Sequence, residues 1–105
     1  MSVSKIFVMG QVDNEPQLKL RSQGLAVCYL SVATTEVIKQ EKHTIWFQVV
    51  LFGTQAELAK KQLIKGSNVY VEGRLKVREL KDEDNKPHTV LEIIGSDFRA
   101  LDLSI

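Results

Sequence analysis

The 105-residue sequence predicts an all-β fold, a small barrel of five short strands with one helix between the third and the fourth. Three observations carry that prediction. Apolar and polar residues alternate with period two in several segments, polar turn clusters punctuate them, and only one window switches to a helical period. The first strand is KIFVMGQV, from Lys5 to Val12, rich in β-branched and aromatic residues, with Gly10 inside it as a bulge or a point of close backbone approach. After a DNEP turn, LKLR alternates apolar and basic residues. SQG makes a tight loop around Gly24, and LAVCYLSVATT resumes this second strand. The polar segment Glu36 to Thr44 leads into the third strand, IWFQVVLFG. There Trp46, Gln48, Val50 and Phe52 fall on one face, and Ile45, Phe47, Val49 and Leu51 on the other.

Thr54 with Glu57 three residues on forms a capping box, and Gly66 ends a helix of about three turns over TQAELAKKQLIK. Ala56, Ala59 and Leu63, flanked by Leu58, make its buried stripe. Lys60, Lys61 and Lys65 are expected to face water. In the fourth strand, NVYVEGRLKVREL, Val69, Val71, Leu75 and Val77 are expected in the core. Tyr70, Glu72, Arg74, Lys76, Arg78 and Leu80 are expected outside. A charged turn, KDEDNKPH, precedes the fifth strand in TVLEIIGSDFRAL. Three strands, a helix and two strands is the element order of the five-stranded Greek-key barrel called the OB-fold. An SH3-type barrel lacks this helix, and a ferredoxin-like sandwich needs two.

The chain has room for one domain, spanning residues 1–105, since two would each fall near the size at which a core stops sustaining itself. With 44% hydrophobic and 26% charged residues it is expected to fold. No window approaches the roughly 18 apolar residues of a membrane span, and the first ten residues lack a signal peptide's apolar stretch, so a cytoplasmic, membrane-free location is expected. Its one cysteine, Cys28, excludes an internal disulfide and a multi-cysteine zinc site. Fourteen basic residues against thirteen acidic give no global field for a polyanion, so any nucleic-acid binding must come from local arrangement.

An enzyme reading finds little support. GxSxG, HExxH, GxxxxGK(S/T) and GxGxxG are absent, and His43 and His88 lie in polar loops far apart in sequence. No catalytic residue, metal or cofactor is expected. Cys28 reads as a small buried hydrophobe, and Asp82, Glu83 and Asp84 as a solvated hairpin tip without the further ligands of a calcium loop. The fourth strand differs. Arg74, Lys76 and Arg78 project from one side about 7 Å apart, near the spacing of phosphates on an extended single strand. Such a row also simply keeps a sheet soluble, and Glu72 interrupts it. Trp46 and Phe52 add weight, because an aromatic on an open sheet is a platform on which an unpaired base stacks. The competing assignment puts Trp46 and Phe52 in the core and Phe47 outside. In either case one aromatic set needs a cover, nucleic acid or another subunit.

The stretches WFQVVLFGTQAELA, Trp46 to Ala59, and KGSNVYVEGRLKVRE, Lys65 to Glu79, resemble the bacterial single-stranded-DNA-binding protein family. PQLKLRSQGLAV and LSVATTE extend the resemblance over nearly the whole chain. The resemblance implies an OB-fold, usually a homotetramer built from dimers, that wraps single-stranded DNA during replication, repair and recombination, with no cofactor. Matched residue by residue, Trp46 and Phe52 take the family's stacking positions and Lys76 and Arg78 its basic positions. Arg21 falls where the family has a basic residue near the first loop, and Arg74 joins by face. Two further family aromatics fall at Ile38 and Leu80, both aliphatic here, which implies weaker binding. Phe47 stands where polar residues are frequent, and is expected to strengthen a subunit contact or enlarge the core. The chain stops at RALDLSI, so recruitment of repair enzymes through an acidic tail is not expected. The alternative is an OB-fold accessory protein of the primosomal type, binding mainly proteins and DNA only weakly.

Overall fold

The computed structural model describes residues 4–101; the end of the chain, on which the expectation about an acidic tail falls, lies outside the described residues. The elements are β1 (Ile6–Val12), β2 (Gln17–Leu20), a 3-10 turn (Ser22–Gly24), β3 (Ala26–Ile38), β4 (Glu41–Phe52), α1 (Gly53–Gln62), β5 (Asn68–Lys81) and β6 (Pro87–Leu101). They form one sheet in the order β1-β5-β6-β4-β3-β2, and β1 returns to pair with β3 at Gln11↔Ala33 and Val12↔Val32. That contact closes a five-strand barrel with one helix between β4 and β5, the OB-fold architecture. The expected second strand is divided: its LKLR portion is β2, a short edge strand outside the barrel. Gln23 and Gly24, both at positive φ, turn it back onto β3.

Closure depends on Gly10. A Cβ at this position would overlap the Ala33 carbonyl, so the close approach expected there is real and only hydrogen fits. The barrel interior holds Cys28, Leu30 and Val32 of β3, Phe47, Val49 and Leu51 of β4, Val69 and Val71 of β5, and Ile93 of β6. Cys28 is the small buried hydrophobe expected, and burial raises its thiol pKa, with the Lys60 charge opposing in part.

Three expectations are corrected. The capping box does not form: β4 runs straight into α1, Phe52 is the N-cap, and Gly53 at φ 61° makes the turn, so Thr54 already lies inside the helix. The stripe of Ala56, Ala59 and Leu63 is buried beneath the helix as expected. Lys60, Lys61 and Lys65 are exposed as expected, and Lys60 Nζ also donates to the Pro16 carbonyl at 2.9 Å, tying the helix to the turn before β2. The segment Glu36 to Thr44 is an arm of paired strand rather than a connecting stretch. Thr35↔Thr44 through Ile38↔Glu41 are in register around a two-residue turn whose Lys39 and Gln40 both adopt positive φ. Finally, Leu75 and Val77 are 40% and 57% exposed, although they keep the inward parity of Val71. The β5–β6 hairpin outruns the barrel, so beyond Gly73 no opposite wall remains to cover them.

Asp82 organises the tip of that hairpin. One carboxylate oxygen accepts from the Asp84 and Lys86 amides, each at 2.9 Å, and the other lies 2.9 Å from His88 Nε2. The His88 contact first, and then these amides, hold the Asp82 carboxyl below its ordinary value. A depressed carboxyl stabilises the tip above the unfolded-state pKa, about 3.9, and that contribution is lost as pH falls through the folded value. In an NMR pH titration the Asp84 and Lys86 amide shifts should move with a midpoint below that of an ordinary aspartate. Asp82→Asn should abolish the transition. A midpoint at or above the ordinary value would contradict this arrangement.

Candidate nucleic-acid interface

Directly paired residues in a sheet share a face, so the register determines which side chains stand together. On the outside of β4 stand Trp46, Gln48, Val50 and Phe52. Across β3 their partners are Ala33, Ser31, Tyr29 and Val27, and across β6 Gln48 and Val50 face Glu92 and Ile94. Glu92 and Ile94 in turn pair with Lys76 and Arg74 of β5, and Val90 with Arg78. One continuous outer wall therefore carries the β4 aromatics and the β5 cations.

The aromatic question is resolved by the same parity. Trp46 is 54% and Phe52 42% exposed, while Phe47 is 7% exposed among the core residues. Of the roles expected for Phe47, the core is the one it takes. Trp46 and Phe52, six residues apart on one strand, are separated by about 20 Å. Arg74, Lys76, Arg78 and Leu80 follow one another on the outer side of the hairpin. Arg21 reaches the same wall from the 3-10 turn, its guanidinium bonded to the Tyr29 hydroxyl.

A cleft of about 510 Å³ lies at one end of this wall, lined by Arg21, Tyr29, Phe52, Arg78, Glu92 and Ile94 among others. Three of the expected site residues thus meet around one hollow. Trp46 lies farther along β4 beside the small Ala33, and Arg74, Lys76 and Leu80 lie along the β5 row. Ile38 does not join them: it pairs with Glu41, opposite in parity to Trp46, and Val37 occupies the wall at that point of the arm.

Two residues of the wall, Tyr29 and Glu92, escaped the sequence reading. Tyr29 has Lys19 Nζ at 5.6 Å and Arg21 Cζ at 5.9 Å from its ring centroid. Glu92 lies 3.9 Å from Arg78 Nη2. Their signals were present in sequence. Tyr29 breaks an otherwise small and aliphatic run, and Glu92 is the one charge in TVLEII. Chemically the wall offers stacking surfaces and fixed cations. Among the described residues no cluster of three His, Cys, Asp or Glu side chains is placed to hold a metal ion.

The fold and this wall define a class: an OB barrel with rings and cations displayed on one open side. Comparison with known proteins gives the family. The sequence profile of the Single-strand binding protein family matches residues 3–101, and the chain belongs to that family. Among solved structures it is similar to the Plasmodium falciparum SSB complex with ssDNA. The TM-score is 0.82 at 32% identity, covering 97% of each chain.

Proposed function

We propose that this protein binds single-stranded DNA, independently of sequence and without chemistry, on the outer wall of its barrel. The observation that carries the reading is the split between neighbours in β4. Phe47 is buried, while Trp46 and Phe52 remain open to solvent on the wall that bears the cation row. Family membership and the likeness to a complex with ssDNA support it. Unpaired bases stack on Trp46 and Phe52, and the backbone follows Arg74, Lys76 and Arg78, with Arg21 at the far end. Leu80 offers an aliphatic surface beyond the cations. Ile38, on the opposite parity, meets DNA only where a strand rounds the arm.

Such binding protects DNA wherever its strands are separated, and the roles proposed for it are replication, recombination and repair, in the cytoplasm. The far side of the barrel supports a homo-oligomer, a dimer or a homotetramer. Phe7 and Met9 are 64% and 60% exposed there, and the Phe7 ring lies 5.8 Å from that of Tyr70. Mass by light scattering tests this. A monomer at all concentrations would contradict it.

The binding reading is tested by a salt series with a labelled single strand and an unlabelled duplex competitor. The slope of log affinity against log salt should fall by about 0.7 for each phosphate contact removed in Arg74→Ala or Lys76→Ala. Duplex of equal length should compete poorly. Equal competition by duplex, or slopes untouched by either substitution, would refute the proposed track.

A further inference from the structure

The cleft between Tyr29 and Phe52 has more structure than a backbone track requires. Tyr29 pairs with Val50 and Phe52 with Val27, so the two rings stand on diagonal positions of adjacent strands. Diagonal neighbours are about 7–8 Å apart, roughly twice the ~3.4 Å rise per nucleotide in a stacked strand. That separation admits one base between two walls. The floor is apolar: Val27 and Val50 are 1% and 8% exposed yet lie outside the core cluster, on the cleft side of the sheet.

Glu92 closes the cleft, and it is a singular group. Its side chain is 14% exposed, and its nearest cation, Arg78, is at 3.9 Å, too far for a hydrogen bond. No donor among the described residues bonds to it. An ionised carboxylate only accepts, and covering one further without a donor is costly. A base entering the cleft removes what water remains. It relieves or aggravates that cost according to what its edge presents.

We infer that this cleft is a single-base pocket in which Glu92 accepts a hydrogen bond from an exocyclic amine. It favours cytosine, and other amine-bearing bases, over thymine or uracil at one position of an otherwise indiscriminate track. Cytosine offers its N4 amine to the carboxylate. Uracil and thymine carry a carbonyl oxygen at that place, and their N3–H lies between two carbonyls whose lone pairs face the carboxylate. Tyr29 supplies the second wall, with Lys19 and Arg21 beside its ring to meet the flanking phosphates.

This inference rests on the single-strand binding proposed above, and the test separates the two. Oligodeoxycytidine and oligodeoxyuridine of equal length differ at the reading edge alone. Both are titrated into the whole protein at mildly alkaline pH, where cytosine is unprotonated, with Trp46 emission as reporter. Glu92→Gln, whose amide both donates and accepts, should lower the affinity ratio of cytidine to uridine strands by about fivefold. Glu92→Asp keeps the charge but withdraws the carboxylate by one methylene, and it should lower the ratio while leaving the salt dependence unchanged. Tyr29→Leu should weaken both strands by roughly tenfold, with Tyr29→Phe restoring most of the loss. Melting temperatures establish that each variant is folded. A ratio unchanged in both Glu92 variants overturns the inference even if overall affinity rises, since Glu92 would then act only as a repelling charge. Failure of the wild-type protein to bind either strand would instead refute the parent reading.

Discussion

Replacing Trp46 and Phe52 together with alanine is expected to weaken single-strand binding by about 2–6 kcal/mol, from roughly 1–3 kcal/mol for each base–aromatic stack. In affinity that is a loss between about thirtyfold and twenty-thousandfold at fixed salt. Both side chains are substantially exposed, at 54% and 42%, so little buried contact is lost and the melting temperature should stay near that of the wild type. Anisotropy of a labelled oligonucleotide reads the affinity, because the double variant has lost its only tryptophan. The cations of β5 remain in this variant, so the salt slope should persist while the affinity falls. A variant that binds as tightly as the wild type would show that bases do not rest on this wall.

One residue along the same strand, the expectation reverses. Phe47→Ala removes a ring that is 7% exposed between Val32 of β3 and Leu91 of β6, its register partners. Truncating a buried phenylalanine costs about 3–5 kcal/mol. For a domain of this size that is a large share of the usual stability of about 5–15 kcal/mol. Thermal or denaturant unfolding measures it directly. The pair of results tests the face assignment, because a register slip of one residue would exchange the two outcomes. Stability lost at Trp46 and preserved at Phe47 would place the wrong aromatic set outside.

The sequence made the period of β4 legible but left open which side was interior, because both faces carry rings. The answer lay in partners distant in the chain. Phe47 meets Val32 and Leu91, whereas Trp46 meets only Ala33 on β3. Element order and the single helix were readable because turns and period changes are local signals. The arm from Glu36 to Thr44 was not, since its strands are exposed on both sides and its turn is Lys-Gln, without the Asn-Gly or Gly that marks such turns. Leu75 and Val77 misled for a related reason. Alternation reports which side a residue faces, and the barrel's end, set by the length of other strands, determines whether anything covers that side. At the site, Phe52, Arg21 and Arg78 were named from sequence, but their meeting around one cleft with Tyr29 and Glu92 is a product of cross-strand register.

The most direct measurement is the emission of Trp46, the only tryptophan and a member of the exposed wall. Titration with oligothymidine at low salt should quench it, and added salt should restore it as the phosphate contacts are released. Emission and sedimentation both unchanged across that titration would contradict the account.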